Sequence, residues 1–310
     1  MLRTGVHRTE HQIEVQASPD TVYGIVAGAS AWPVHFAPTV HVERQDLCGG
    51  QERLRIWATA NGEVKSWTSR RELFPEQGRV TFRQEVSSPP VASMGGEWIA
   101  AAGERGGTRL TLLHDFTATD AAGLDWLKAA TDRNSTTELA NIKALAETAE
   151  GLVFDFADST TVQGDAATVY AFLHEAGSWP DRLPHVSRLE LREEAGNVQR
   201  MVMDTLTKDG SAHTTESVRV CFPEARRILY KQIVTPPLMT AHVGEWTVEE
   251  TGSGVVATSR HTIRLNPAAI VPVLGPDATP DAAKAFVRRA VGGNSAATLA
   301  LAKSFAEGPR

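Results

Sequence analysis

Cysteine is scarce in this chain. Cys48 and Cys221 are the only two among 310 residues, and they form neither a metal-ligand spacing nor a disulfide framework. They read as two buried or half-buried thiols in a reducing compartment. Long apolar runs are also missing. No stretch approaches the roughly 20 apolar residues of a membrane span, and Met1 to Glu14 holds no apolar core segment, so no secretory signal is evident. The expectation is a cytoplasmic protein with no membrane partner. Positive charge is not in excess. A formal net charge of −6 argues against nucleic acid as the main partner, because such proteins present a basic face. The glycine pairs Gly49-Gly50 and Gly95-Gly96 match no phosphate-loop spacing, and no nucleophilic triad is evident. No metal or redox cofactor is signalled.

What the chain does have is a repeat. Thr21-Val22-Tyr23 and Ala31-Trp32-Pro33 return as Thr168-Val169-Tyr170 and Ser178-Trp179-Pro180, a shift of 147. Phe74-Pro75-Glu76 and Gly96-Glu97-Trp98 return at a shift of 148, as Phe222-Pro223-Glu224 and Gly244-Glu245-Trp246. Asn134-Ser135, Lys143 and Glu147 return at 160, as Asn294-Ser295, Lys303 and Glu307. A near-constant shift over separated blocks predicts two copies of one domain, 1–150 and 151–310, and the period is too long for a solenoid. Each copy is large enough to bury its own core.

Within one copy, Gln12 to Gln16 alternates as a strand does. Ser18-Pro19-Asp20 starts a short helix, with Ser18 as cap and Pro19 in the first turn, and Trp32-Pro33 is expected to stop it. Arg53 to Ala60 and Glu63 to Phe74 read as strands joined at Asn61-Gly62, a hairpin signal matched by Asp209-Gly210. Strands follow at 79–86, 96–102 and 108–117, then a long helix over 124–150. The fold class is therefore α+β: a curved antiparallel sheet gripping one long helix, with space for an apolar pocket between them. The second copy carries 13 extra residues before its long helix, including Pro267, Pro272, Pro276 and Pro280. They read as a lid, an inter-domain strap or a plain surface loop.

Strand parity selects the inward polar residues. Trp67, Ser69, Arg71 and Leu73 share one face of their strand; Leu110, Leu112, His114 and Phe116 share one face of theirs. Both charged positions recur, as Arg219 and His261. An inward arginine is costly unless it is paired or solvated, and in these two strands no carboxylate shares its face. Trp32/Trp179 and Trp98/Trp246 recur, whereas Trp67 becomes Thr215. Core packing is the default for such tryptophans, with ligand stacking as the alternative.

These motifs together resemble the polyketide aromatase/cyclases of bacterial type II polyketide synthases. They are Ala31-Trp32-Pro33, Asn61-Gly62 with Trp67-Thr68-Ser69-Arg70-Arg71, Glu97-Trp98, and Asn134-Ser135-Thr136-Thr137. The family belongs to the START-like, helix-grip, Bet v 1-like superfamily. The resemblance runs through the chain twice, as in the di-domain members. It implies a poly-β-ketone delivered on an acyl carrier protein by minimal polyketide synthase components, and regiospecific first-ring aldol closure with loss of water. It also implies no cofactor. Arg71, His114, Arg219 and His261 would be the catalytic residues, and Trp32, Trp67, Ser69, Trp98, Trp179 and Trp246 would bind substrate. A tyrosine that some single-domain members carry after the Trp-Pro segment has no match here, since Pro38 and Thr39 stand there.

The residue chemistry agrees. A methylene between two ketones needs only a modest base and an anion-holding donor. Arginine stays protonated and can hold an enolate or alkoxide; histidine titrates near neutrality and can move the proton. The competing reading is a non-catalytic carrier of an apolar small molecule, which needs a pocket but no repeated Arg–His pair.

Overall fold

The computed structural model describes residues 5–60, 62–87, 89–148, 151–206 and 212–308. The chain divides into two compact units, Met1–Ala149 and Glu150–Arg310. Unit 1 runs β1 (His7–Val15), α1 (Pro19–Ala27), α2 (Trp32–His35), β2 (Thr39–Asp46), β3 (Gln51–Ala60), β4 (Glu63–Phe74), β5 (Arg79–Val86), β6 (Val91–Ala102), β7 (Thr108–Ala118) and α3 (Ala121–Ala146). Unit 2 repeats this as β8 (Val153–Val162), α4 (Ala166–His174), α5 (Trp179–Arg182), β9 (Val186–Glu194), β10 (Val198–Leu206), β11 (Ala212–Phe222), β12 (Arg227–Val234), β13 (Met239–Thr251) and β14 (Gly254–Leu265). It then adds α6 (Pro267–Leu274) before the long helix α7 (Pro280–Glu307). Each sheet has seven antiparallel strands, ordered β1-β7-β6-β5-β4-β3-β2 and β8-β14-β13-β12-β11-β10-β9. Each is a helix-grip domain.

Local chemistry explains the ends of the helices. The Ser18 hydroxyl accepts from the Thr21 amide at 3.2 Å, and Asp165 does the same for Thr168 at 2.8 Å. Asp120 caps α3 through Gly123, and Thr279 caps α7 through Ala282. The recurring Lys–Glu pair near the end of each long helix is a clamp. Glu147 accepts from the Gln16 amide and Lys143 donates to the Glu14 carbonyl; Glu307 and Lys303 repeat this on Gln163 and Thr161.

Three expectations change. Trp32-Pro33 does not stop the first helix; Gly28 ends it, and Trp32-Pro33 opens the one-turn α2, where proline suits the first position. β2 has no counterpart in the sequence reading. The proline-rich segment is not a loop. Pro267 starts α6 and Pro280 starts α7, and Ile270 packs with Leu238, Met239, Leu265 and Val287 into an apolar cluster beneath it. The hairpin expected at Asn61-Gly62 joins β3 and β4, with Gly62 at φ +79°; Asn61 and Asp209-Gly210 lie outside the described residues.

Candidate active site

One cross-strand row in each sheet carries the inward polar groups. In unit 1 the register sets Glu52 opposite Arg71, Arg71 opposite Phe82, Phe82 opposite Gly96, Gly96 opposite His114 and His114 opposite Thr9. In unit 2 the same row reads Gln199, Arg219, Tyr230, Gly244, His261 and Phe156. Antiparallel neighbours on one face sit within side-chain reach, so a row of six brings both predicted pairs onto one line. The glycine has a steric reason. A Cβ on Gly96 would lie 2.7 Å from the Phe82 ring, and one on Gly244 would lie 2.2 Å from the Tyr230 ring. The glycine lets the aromatic side chain lean across toward the histidine.

Arg71 is inward and buried, but it is not free. Its Nε donates to Glu52 Oε1 at 2.8 Å, one terminal nitrogen donates to the Val26 carbonyl at 2.9 Å, and the other donates to the Ala27 carbonyl at 2.7 Å and also to Glu52. Glu52 is equally buried. A guanidinium has five N–H groups, so among the described residues Arg71 retains one. The inward carboxylate that β4 and β7 lack is supplied by β3. Trp32 lies under this guanidinium, 4.8 Å from the ring centre, with its indole N–H on the Ile25 carbonyl.

Arg219 repeats the burial without the carboxylate. Its terminal nitrogens donate to the Leu173 carbonyl at 2.6 Å and the His174 carbonyl at 3.5 Å, and Trp179 lies beneath it at 5.2 Å. Gln199, in the place of Glu52, donates instead to Glu193 and to the His174 carbonyl. Three of the five N–H groups of Arg219 therefore have no partner among the described residues, and no ion pair neutralises it there. Burial lowers its proton affinity, but guanidinium basicity is high enough that it stays a cation.

The histidines differ as much. His261 is a hub. Its Nδ1 lies 3.0 Å from the Tyr230 phenol and 3.0 Å from His242 Nε2, and its Nε2 meets the hydroxyls of Ser259 and Ser295, each at 2.9 Å. His242 Nδ1 lies 2.9 Å from Gln232 Oε1. With the amide oxygen accepting there, His242 Nε2 accepts in turn from His261. Burial pushes His261 down to about 4 and His242 to about 3, and it raises the Tyr230 phenol. At neutral pH both rings are uncharged and the phenol keeps its proton. Arg219, Tyr230, His242, His261, Trp179 and Trp246 all line one cavity of about 120 Å³, together with Thr215, Met201 and Met203. Small-molecule sites run to roughly 300–1,000 Å³, so this space holds a short stretch of chain unless the flexible methionines swing aside.

In unit 1, Phe82 and Met94 stand where Tyr230 and His242 stand, and His114 Nδ1 has no hydrogen-bond partner. Burial pushes His114 down to about 4. Trp67 packs on Leu54 and Ile56, Trp98 packs in the central apolar cluster, and the Ser69 hydroxyl is occupied by the Arg83 carbonyl at 3.2 Å. Glu138 lies on the stripe of α3 that faces the sheet, three residues after Ser135 and four before Ile142, both buried. It is itself exposed, and local desolvation pushes its carboxyl up to about 7. A larger hollow of unit 1, about 740 Å³, is bordered by the charged side chains of Arg8, Glu10, Arg70, Arg83 and Asp115. Strand parity puts these on the opposite face of the sheet from Arg71 and His114.

The family model described as polyketide cyclase/dehydrase and lipid transport matches residues 6–147 and again 153–305. The chain belongs to this family. It is 46% identical to the actinorhodin polyketide synthase bifunctional cyclase/dehydratase of Streptomyces coelicolor, over 100% of this chain and 99% of that one. The granaticin counterpart of Streptomyces violaceoruber is 45% identical over 97% and 95%. Among solved structures, the di-domain aromatase/cyclase BexL of the BE-7585A biosynthetic pathway superposes with a TM-score of 0.90 at 47% identity, covering 98% of this chain and all of that one. The protein is thus a di-domain aromatase/cyclase, an enzyme of the cyclase/dehydratase kind, and the carrier reading falls away. No helix among the described residues is long and apolar enough to cross a membrane.

For an aromatase/cyclase, four polar residues of this site escape the sequence reading. Tyr230 and His242 occur in one copy only, so a filter on what recurs discards them. Glu52 changes to Gln199 and is lost in the same way. Ser295 did carry a signal, because it recurs with Ser135 at the constant shift of the long helix. A phenol does line the cavity, that of Tyr230 on β12.

Proposed function

We propose that the protein folds a carrier-protein-bound poly-β-ketone and catalyses regiospecific first-ring aldol closure followed by dehydration, working with the other components of a type II polyketide synthase. The observation that carries this reading is the buried, unneutralised Arg219 in one cavity with the Tyr230–His261–His242 relay. Closure turns a neutral ketone into an alkoxide by way of an enolate. Arg219 presents N–H groups and positive charge to that oxygen, and Tyr230 presents a phenolic proton, which together form a preorganised anion site. The neutral His261 takes the methylene proton as the enolate forms and, as imidazolium, returns it to the alkoxide through the Tyr230 phenol, so both groups end as they began; His242 and Gln232 hold the ring in place. The tryptophan and methionine walls hold the chain so that one carbon meets one carbonyl and exclude water from the intermediates. In this reading Arg71, tied to Glu52, organises unit 1, and His114 faces the same interior.

The test is reconstitution with a minimal polyketide synthase. Arg219→Ala keeps the fold and slows closure by about 10²–10³-fold, the usual effect of losing one oxyanion donor, with mis-cyclised shunt products accumulating. An unchanged product profile with Arg219→Ala removes Arg219 from the mechanism.

A further inference from the structure

Unit 1 contains a second histidine that the row above does not include. His11 lies on β1, two residues from Thr9 on the same inward face and opposite Leu112 of β7. Its Nε2 is 2.9 Å from Asp132 Oδ1 on α3. A carboxylate only accepts, so Nε2 carries the proton and Nδ1 presents a bare lone pair. That Nδ1 is buried and has no hydrogen-bond partner. Its surroundings repeat the pattern: Thr9 Oγ1, His114 Nδ1 and Ser135 Oγ are also buried without partners. Buried polar atoms are nearly always satisfied in folded proteins. Four such atoms on β1, β7 and α3, facing one interior, therefore mark a place built for a polar guest. In unit 2 the match of His11 is Asp158, whose Oδ1 accepts from Arg288 at 2.7 Å while its Oδ2 is buried without a partner, and both ring nitrogens of His261 are bonded, so an unpartnered imidazole at this place belongs to unit 1 alone.

We propose that His11 is a general base on the inner face of unit 1 and that Asp132 positions it. This inference rests on the cyclase/dehydratase reading above. An imidazole whose far nitrogen is held by a carboxylate has its tautomer fixed. His11 Nδ1 takes a proton from a methylene between two carbonyls, and the C–H electron pair moves into the enolate oxygen. After the enolate carbon joins the ketone, the same proton passes to the new alkoxide. In dehydration His11 removes a second α-proton and returns it to the departing hydroxyl, so water leaves and the ring is unchanged. Thr9, Ser135 and His114 take the substrate oxygens. The titratable groups shown beside this ring are Asp132 from α3 and His114 from β7.

The experiment measures exchange of the methylene protons of heptane-3,5-dione in D2O by NMR, using the full chain with His261→Gln so that the second pocket is silent. We expect this chain to accelerate exchange over buffer, and His11→Gln, which keeps a bond to Asp132, to reduce the acceleration by about 10²-fold or more. Asp132→Asn lowers the rate by loosening the tautomer of the ring, and Asp132→Glu, which keeps a carboxylate there, restores part of it. Nitrogen-15 shifts of His11 show Nε2 protonated and Nδ1 bare. If His11→Gln exchanges normally and only its melting temperature falls, the pair is structural and the inference is wrong. It is equally wrong if exchange survives His11→Gln and is lost with His114→Gln. If exchange behaves as stated but the reconstituted synthase gives no cyclised product, the cyclase reading fails and the base assignment stands.

Discussion

The two units share a backbone plan and half of an inward cross-strand row. Arginine, glycine and histidine hold their places in both; Glu52/Gln199, Phe82/Tyr230 and Thr9/Phe156 do not. Each change is a few atoms, and each moves polarity in a definite direction. Unit 1 neutralises its arginine and leaves its histidine unbonded. Unit 2 exposes its arginine to a cavity and builds its histidine into a relay. Duplication has kept the frame that positions charge and altered the charge itself, so similarity of fold between the copies does not carry over to similarity of role.

The sharpest way to break this comparison is to remove the arginines. Arg71→Ala takes from Glu52 its buried partner and leaves it only the half-exposed Arg44, so unit 1 loses up to about 3–5 kcal/mol, read as a drop in thermal midpoint. Pairing it with Glu52→Gln recovers part of the loss. Arg219→Ala strands no carboxylate among the described residues, so its loss of stability is smaller and its effect on products larger. A next smaller effect comes from exchanging the copies' own residues. Tyr230→Phe removes one oxygen and leaves the ring in its glycine seat; it lowers turnover by about 10²-fold with little change in melting. An equal loss of stability would mean the phenol serves packing instead. The smallest effect is on pH. His242 and His261 stay neutral in the folded state down to about 3 and 4, while in the unfolded chain they take protons near 6.5. The unfolded chain then binds more protons, and stability declines as pH falls from about 6.5 toward 4. His242→Met, copying Met94, makes that decline shallower, as urea titrations across the range would show.

Much of this was legible before any coordinates. Period-two alternation put Arg71, His114, Arg219 and His261 on inward faces, and the register confirms that each pair shares a row. The hairpin, the capped short helix and the long helix follow from turn chemistry and apolar spacing. β2 was missed because Thr39 to Asp46 ends in four polar residues and alternates weakly. α6 was missed because four prolines read as a loop, although two of them occupy helix starts, where proline is favoured. The site was half-read because recurrence measures what both copies need, whereas Tyr230, His242 and the pair His11–Asp132 are what one copy needs alone. Only tertiary proximity reveals them.

The glycine at the centre of each row has a longer reach than its size implies. Because Gly96 and Gly244 each seat an aromatic ring that leans toward a histidine, the ring can gain or lose its hydroxyl without any neighbour moving. Phe82 and Tyr230 are the two settings of that seat. A gene with two such seats can try a reactive setting in one copy while the other continues to work. A fold of this kind can acquire new ring-closing chemistry through single-base changes rather than through rebuilding.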